Sequence, residues 1–120
     1  RPVMTAQPTP QQRGNEAEDL ALAYLQAAGL VLIARNWRCR LGEIDLIMQH
    51  HQTLVFVEVR YRRSARYGGA MASITPAKQR KLLLTAQYYL QRLSHTPACR
   101  FDAVLIQGQQ APIWLQNIFF

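Results

Sequence analysis

Two apolar, strand-like segments, Gly42 to Met48 and Leu54 to Arg60, are separated by only five residues, Gln49 to Thr53. A connection that short joins neighbouring antiparallel strands, because a parallel return needs a crossover of about a dozen residues or more. The hairpin anchors any fold open to this chain, and it carries an oddity. Three of the seven acidic residues, Glu43, Asp45 and Glu58, lie inside it, although strand interiors are depleted of Asp and Glu. Carboxylates gathered out of water repel one another unless a cation or proton intervenes. The pattern points to a divalent metal.

The flanking sequence supplies the rest of the architecture. Arg1 to Arg13 is polar and Pro/Gln-rich and reads as a flexible leader, ahead of a single domain over residues 14–120. From Glu16 to Ala28, apolar residues at 17, 20, 21, 24, 25 and 28 keep a helical period that Gly29 stops. Leu30 to Arg38 reads as a strand. Thr75 is a good N-cap and Pro76 a good first helical residue, and positions 82, 86, 89, 90 and 93 mark a second helix. Its stripe places Tyr88, Tyr89 and Leu90 in the core. Strands at Cys99 to Ile106 and Ile113 to Gln116 close the chain. The order αβββαβ(β) predicts an α/β fold with a single mixed sheet flanked by helices, since the crossover through the second helix demands one parallel pair. Arg62 to Ser73 is basic, glycine-hinged and aperiodic, which predicts a mobile loop.

Charge narrows the partner. Fourteen Lys+Arg against seven Asp+Glu leave a net +7, and all but Lys78 and Lys81 of the basic residues are arginine, suited to forked phosphate contacts. The excess predicts a polyanionic partner without choosing between nucleic acid and anionic membrane. No apolar run approaches the ~18 residues of a membrane span, and Cys39 and Cys99 show no metal-ligand spacing. Free thiols without a secretory signal predict a cytoplasmic location.

Alternation along strands puts Glu43, Asp45 and Ile47 on one face and Phe56, Glu58 and Arg60 on one face of the next strand. Asp45 and Glu58 can then sit opposite each other, and such oxygen ligands suit Mg²⁺ or Mn²⁺. Glu18 shares a helical face with Ala21, Leu22 and Leu25 and could add a third carboxylate. Lys78 starts the core-facing stripe of the second helix, where a cation makes sense beside an anion. Arg38, Arg60, Arg62, Arg63, Arg66, Lys78 and Lys81 are the candidate nucleic-acid contacts, Tyr61 and Tyr67 being interleaved for stacking. The competing reading is a solvated sheet face where Arg38 or Arg60 pairs with the acids, Glu43 being structural. His50 and His51 read as an ordinary polar turn.

The set Gly14-x-x-x-Glu18-x-x-Ala21-x-x-Tyr24-Leu25, Arg35-Asn36, Gly42-Glu43-Ile44-Asp45-Leu46-Ile47, Val55-Phe56-Val57-Glu58-Val59-Arg60, Lys78-Gln79 and Arg100-Phe101-Asp102 resembles the YraN family of uncharacterised bacterial proteins. That family is similar to the restriction-endonuclease-like fold and the archaeal Holliday junction resolvases. The resemblance implies a magnesium-dependent endonuclease of PD-(D/E)xK type acting on structured or branched DNA, which makes DNA, and no membrane, the expected partner. Glu18, Asp45 and Glu58 would be the metal ligands, and Asp45, Glu58, Arg60 and Lys78 the catalytic set. The motif lysine is replaced by Arg60, which stays protonated and cannot be a general base; the alternative is a weak or inactive nuclease scaffold serving as a nucleic-acid-binding module. A resolvase would also need a homodimer, for which the late strands and Ile118-Phe119-Phe120 are candidate surfaces.

Overall fold

A computed structural model describes residues 9–63 and 74–119, arranged as α1 (Pro10–Ala27), β1 (Val31–Cys39), β2 (Gly42–His50), β3 (Thr53–Arg62), α2 (Pro76–Leu90), β4 (Cys99–Gln107) and β5 (Ile113–Leu115). One five-stranded sheet runs in the order β1-β2-β3-β4-β5, antiparallel except for β3 beside β4. It is the expected mixed sheet with a helix on each face.

The helix signals are local. Thr75 caps α2 by accepting from the Lys78 amide, with Pro76 first in the helix, and Gly29, at φ 102°, follows the end of α1. The start of α1 differs from expectation. It begins at Pro10 within the expected leader, because Thr9 and Gln12 form a reciprocal capping box. Residues 1–8 lie outside the described residues, as does most of the expected 62–73 loop.

Each helix seals one face of the sheet. Ala17, Ala21 and Leu25 of α1 pack on Leu46, Met48, Val55, Val57, Val104 and Ile106. Leu82, Ala86 and Tyr89 of α2 pack on Ile44, Ile47, Leu54, Phe56 and Phe101. Two details correct the sequence reading. Tyr88 is 38% exposed, and α2 ends at Leu90, leaving Leu93 outside it and exposed. Ile118 and Phe119 fold back on the chain's own core, the Ile118 amide donating to the Phe101 carbonyl at 2.8 Å and the Phe119 ring lying 4.9 Å from that of Phe101. Phe120 lies outside the described residues.

A buried carboxylate holds this end of the sheet together. Asp102 accepts from Arg100 Nε at 3.0 Å, Trp114 Nε1 at 3.0 Å and the Asn117 amide at 2.9 Å. Arg100 Nη2 in turn meets His50 Nδ1 at 3.0 Å, so the expected bystander turn histidine is braced by a residue fifty positions away.

Candidate functional site

The β2/β3 turn is two residues long, with His51 in the left-handed region at φ 57°. It sets a register in which His50 pairs with Thr53 and Leu46 with Val57, and there the pairing ends. Asp45 and Glu58 are the next residues along, at the mouth of the fork where the strands part. Beyond the ladder, Asp45 Oδ2 accepts the Val59 amide at 2.8 Å. The simple alternation expected through 43, 45 and 47 is broken here: Ile44 and Ile47 both pack under α2, although strict alternation would send them to opposite faces.

The fork opens into a cleft of about 390 Å³ walled by Gly14, Ala17 and Glu18 of α1 and by Lys78, Lys81, Leu82 and Thr85 of α2. Gly42 makes the close approach possible, since a Cβ there would stand 2.8 Å from Thr85 Oγ1, an atom fixed by its bond to the Lys81 carbonyl. The cleft thus unites Glu18, Asp45, Glu58, Arg60, Lys78 and Lys81.

Its electrostatics are unbalanced at the centre. Glu58 is buried, and Arg60 Nη1 donates to Glu58 Oε2 at 3.0 Å. Burial, then the charge of Glu58 and a hydrogen bond to it, push Asp45 up to about 8, so the pair holds a proton at neutral pH. Burial and the charge of Asp45 also raise Glu18, while Asn36 and Arg35 oppose the rise. Arg35 Nε reaches Glu18 at 3.3 Å and Arg35 Nη2 reaches Asp19 at 2.7 Å. Among the described residues no group of three His, Cys, Asp or Glu is arranged to hold a metal ion. The expected triad is a close pair, Asp45 and Glu58, with Glu18 acting on it through charge. Two carboxylates still fit a hard cation, since Mg²⁺ commonly takes one or two and completes its shell with water and phosphate oxygens.

Other expected contacts lie elsewhere. Arg38 is tied to Glu43 at 2.8 Å, its side chain 74% exposed, as the competing reading had it. Arg62 and Arg63 are exposed outside the cleft wall, and Arg62 Nη1 bonds the Tyr61 carbonyl. Arg66 and Tyr67 fall outside the described residues. Sequence reasoning missed the work of Arg35 and Asn36 in holding Glu18. The signal was their adjacency, with Asn36 a residue that tolerates its observed φ of 53°.

Comparison with known sequences completes the description. The sequence model described as "Uncharacterised protein family UPF0102" matches residues 17–106. A UPF0102 protein of Psychromonas ingrahamii is 53% identical over 89% of this chain and 88% of its own length. One from Nitrosococcus oceani is 52% identical over 92% and 94%, and one from Neisseria meningitidis serogroup C 51% over 89% and 94%. Among the described residues no helix is long and apolar enough to cross a membrane.

Proposed function

The chain belongs to the UPF0102 family, the YraN family, and we propose that its cleft is the centre of a Mg²⁺- or Mn²⁺-dependent endonuclease acting on structured or branched DNA in the cytoplasm. The observation that supports this reading is the Asp45–Glu58 pair at the mouth of the fork, Glu58 buried and the lysines of α2 forming the facing wall, where burial and Glu58 push Asp45 up to about 8. Such a pair is costly unless a cation joins it. Asp45 and Glu58 would hold the ion, with Glu18 adding negative potential behind them. When bound, it would supply a Lewis acid and a water more acidic than bulk water. Lys78 and Lys81, which form no ion pair among the described residues, attract the phosphate. Arg60 stays protonated and stabilises the charge that builds on it.

The test is cleavage of labelled single-stranded, duplex, flap and four-way-junction DNAs in Mg²⁺ and Mn²⁺, by the parent and by Glu58→Gln. Metal-dependent cutting by the parent, lost in the variant while binding persists, is expected; cutting that survives Glu58→Gln would overturn the assignment.

One observation favours a second reading. Arg60 already occupies Glu58 through the 3.0 Å ion pair, an arrangement that suits a binding module with its chemistry disabled. Arg60→Lys replaces the paired guanidinium with the motif lysine. A gain in cutting supports the nuclease scaffold, and salt-sensitive binding without cutting by either protein supports the module.

A further inference from the structure

We propose that a second groove, beside the cleft, binds unpaired nucleotides, so that the substrate carries a single-stranded arm; this deepens the nuclease reading and rests on it. The groove, an open space of about 660 Å³, is lined by Trp37, Arg38 and Arg40 at the β1–β2 hairpin tip and by Tyr88 and Arg92 at the end of α2.

Three observations carry the proposal. First, flat aromatic surface is exposed here: Tyr88 is 38% exposed, its ring 6.2 Å from that of Trp37, and the Arg92 guanidinium lies over Trp37 at 5.6 Å. Rings and guanidinium planes of this kind stack on bases. Second, the charge suits phosphate. Glu43 occupies Arg38, but Arg40 and Arg92 form no ion pair among the described residues. An acidic protein surface would use the arginines and gain little from the rings.

Third, groove and cleft adjoin across the β1–β2 ladder. In the β1–β2 ladder Arg38 pairs with Glu43 and Cys39 with Gly42, and Glu43 and Gly42 line the cleft. On α2, Tyr88 follows Lys81 by about two turns, roughly 10 Å, the span of about three stacked nucleotides at ~3.4 Å each. A strand whose phosphate lies at Lys81 thus reaches Tyr88 without a detour.

The test is fluorescence anisotropy with a short labelled oligodeoxythymidine in EDTA, where binding is read apart from metal-dependent chemistry. Tyr88→Ala is expected to weaken binding about 5- to 150-fold with the salt slope unchanged, because the ring carries no charge. Tyr88→Phe should restore it, and Arg40→Gln should lower the slope by about 1. Parent-like affinity of a folded Tyr88→Ala would overturn the groove and leave the cleft reading standing. A parent that binds no oligonucleotide would overturn the groove, and the cleft reading would be decided by cleavage of branched DNA in Mg²⁺. Tyr88-dependent binding by a parent that cuts nothing in Mg²⁺ would support the groove and remove the nuclease. Displacement by polyglutamate as readily as by unlabelled oligonucleotide would overturn the stacking role in favour of an acidic protein.

Discussion

Replacing Asp45 by Asn should stabilise the protein, and the gain should depend on pH. Asp45 keeps its proton up to about 8 in the fold against 3.8 for an ordinary aspartate, chiefly through burial and then through Glu58. The folded state binds this proton more tightly than the unfolded chain does, so stability falls as pH rises from about 4 and levels off above about 8. At ~1.4 kcal/mol per unit the whole window has an upper limit of about 6 kcal/mol. Local relaxation around a buried charge lowers the expected loss to about 2–3 kcal/mol. The introduced amide retains an acceptor for the Val59 amide and carries no charge, so the variant escapes that loss. In thermal unfolding followed by circular dichroism, the variant should melt roughly 8–12 °C above the parent near pH 8, taking ~4 °C per kcal/mol, and the gap should close toward pH 4. Millimolar Mg²⁺ should raise the parent's Tm near pH 8 by mass action and leave the variant's unchanged. A gap that stays constant with pH, or a variant less stable than the parent near pH 8, would refute the reasoning about the pair.

Two further substitutions probe what surrounds it. Gly42→Ala would push a Cβ to 2.8 Å from Thr85 Oγ1 at a φ of 156° and should cost about 1–3 kcal/mol in urea unfolding. Asp102→Asn removes the charge facing Arg100, whose side chain is only 17% exposed, and should cost about 3 kcal/mol; the loss should show in the intrinsic fluorescence of Trp114, which donates to Asp102.

What could be read from the sequence was what short-range chemistry decides. Thr75-Pro76 and Gly29 announce helix ends within a few residues, and the short β2/β3 link fixes a register that puts Asp45 opposite Glu58. The hairpin sequence could not reveal that pairing stops at Leu46 and Val57. The sequence reading groups Tyr88 with Tyr89, although adjacent helical positions point about 100° apart; Tyr88 lies four residues after the exposed Leu84, on the outward side of α2. The bond between His50 and Arg100 joins positions far apart in the chain and left no local trace. At Pro10 the signal was present in Thr9 and Gln12, but the surrounding Pro/Gln-rich composition outweighed it.

The parallel pairing of β3 with β4 has a kinetic consequence. The β1–β2–β3 meander needs only short loops to close, whereas β4 reaches β3 after a connection running from Arg63 to Ala98, and loop-closure entropy delays contacts so far apart in sequence. α2 lies within that connection and brings Lys78, Lys81 and Thr85 to the fork. A chain still emerging from the ribosome can therefore hold the acidic hairpin in water, its carboxylates ionised, well before the opposite wall arrives. Refolding followed at Tyr88 or Trp114 should lag behind the appearance of the hairpin.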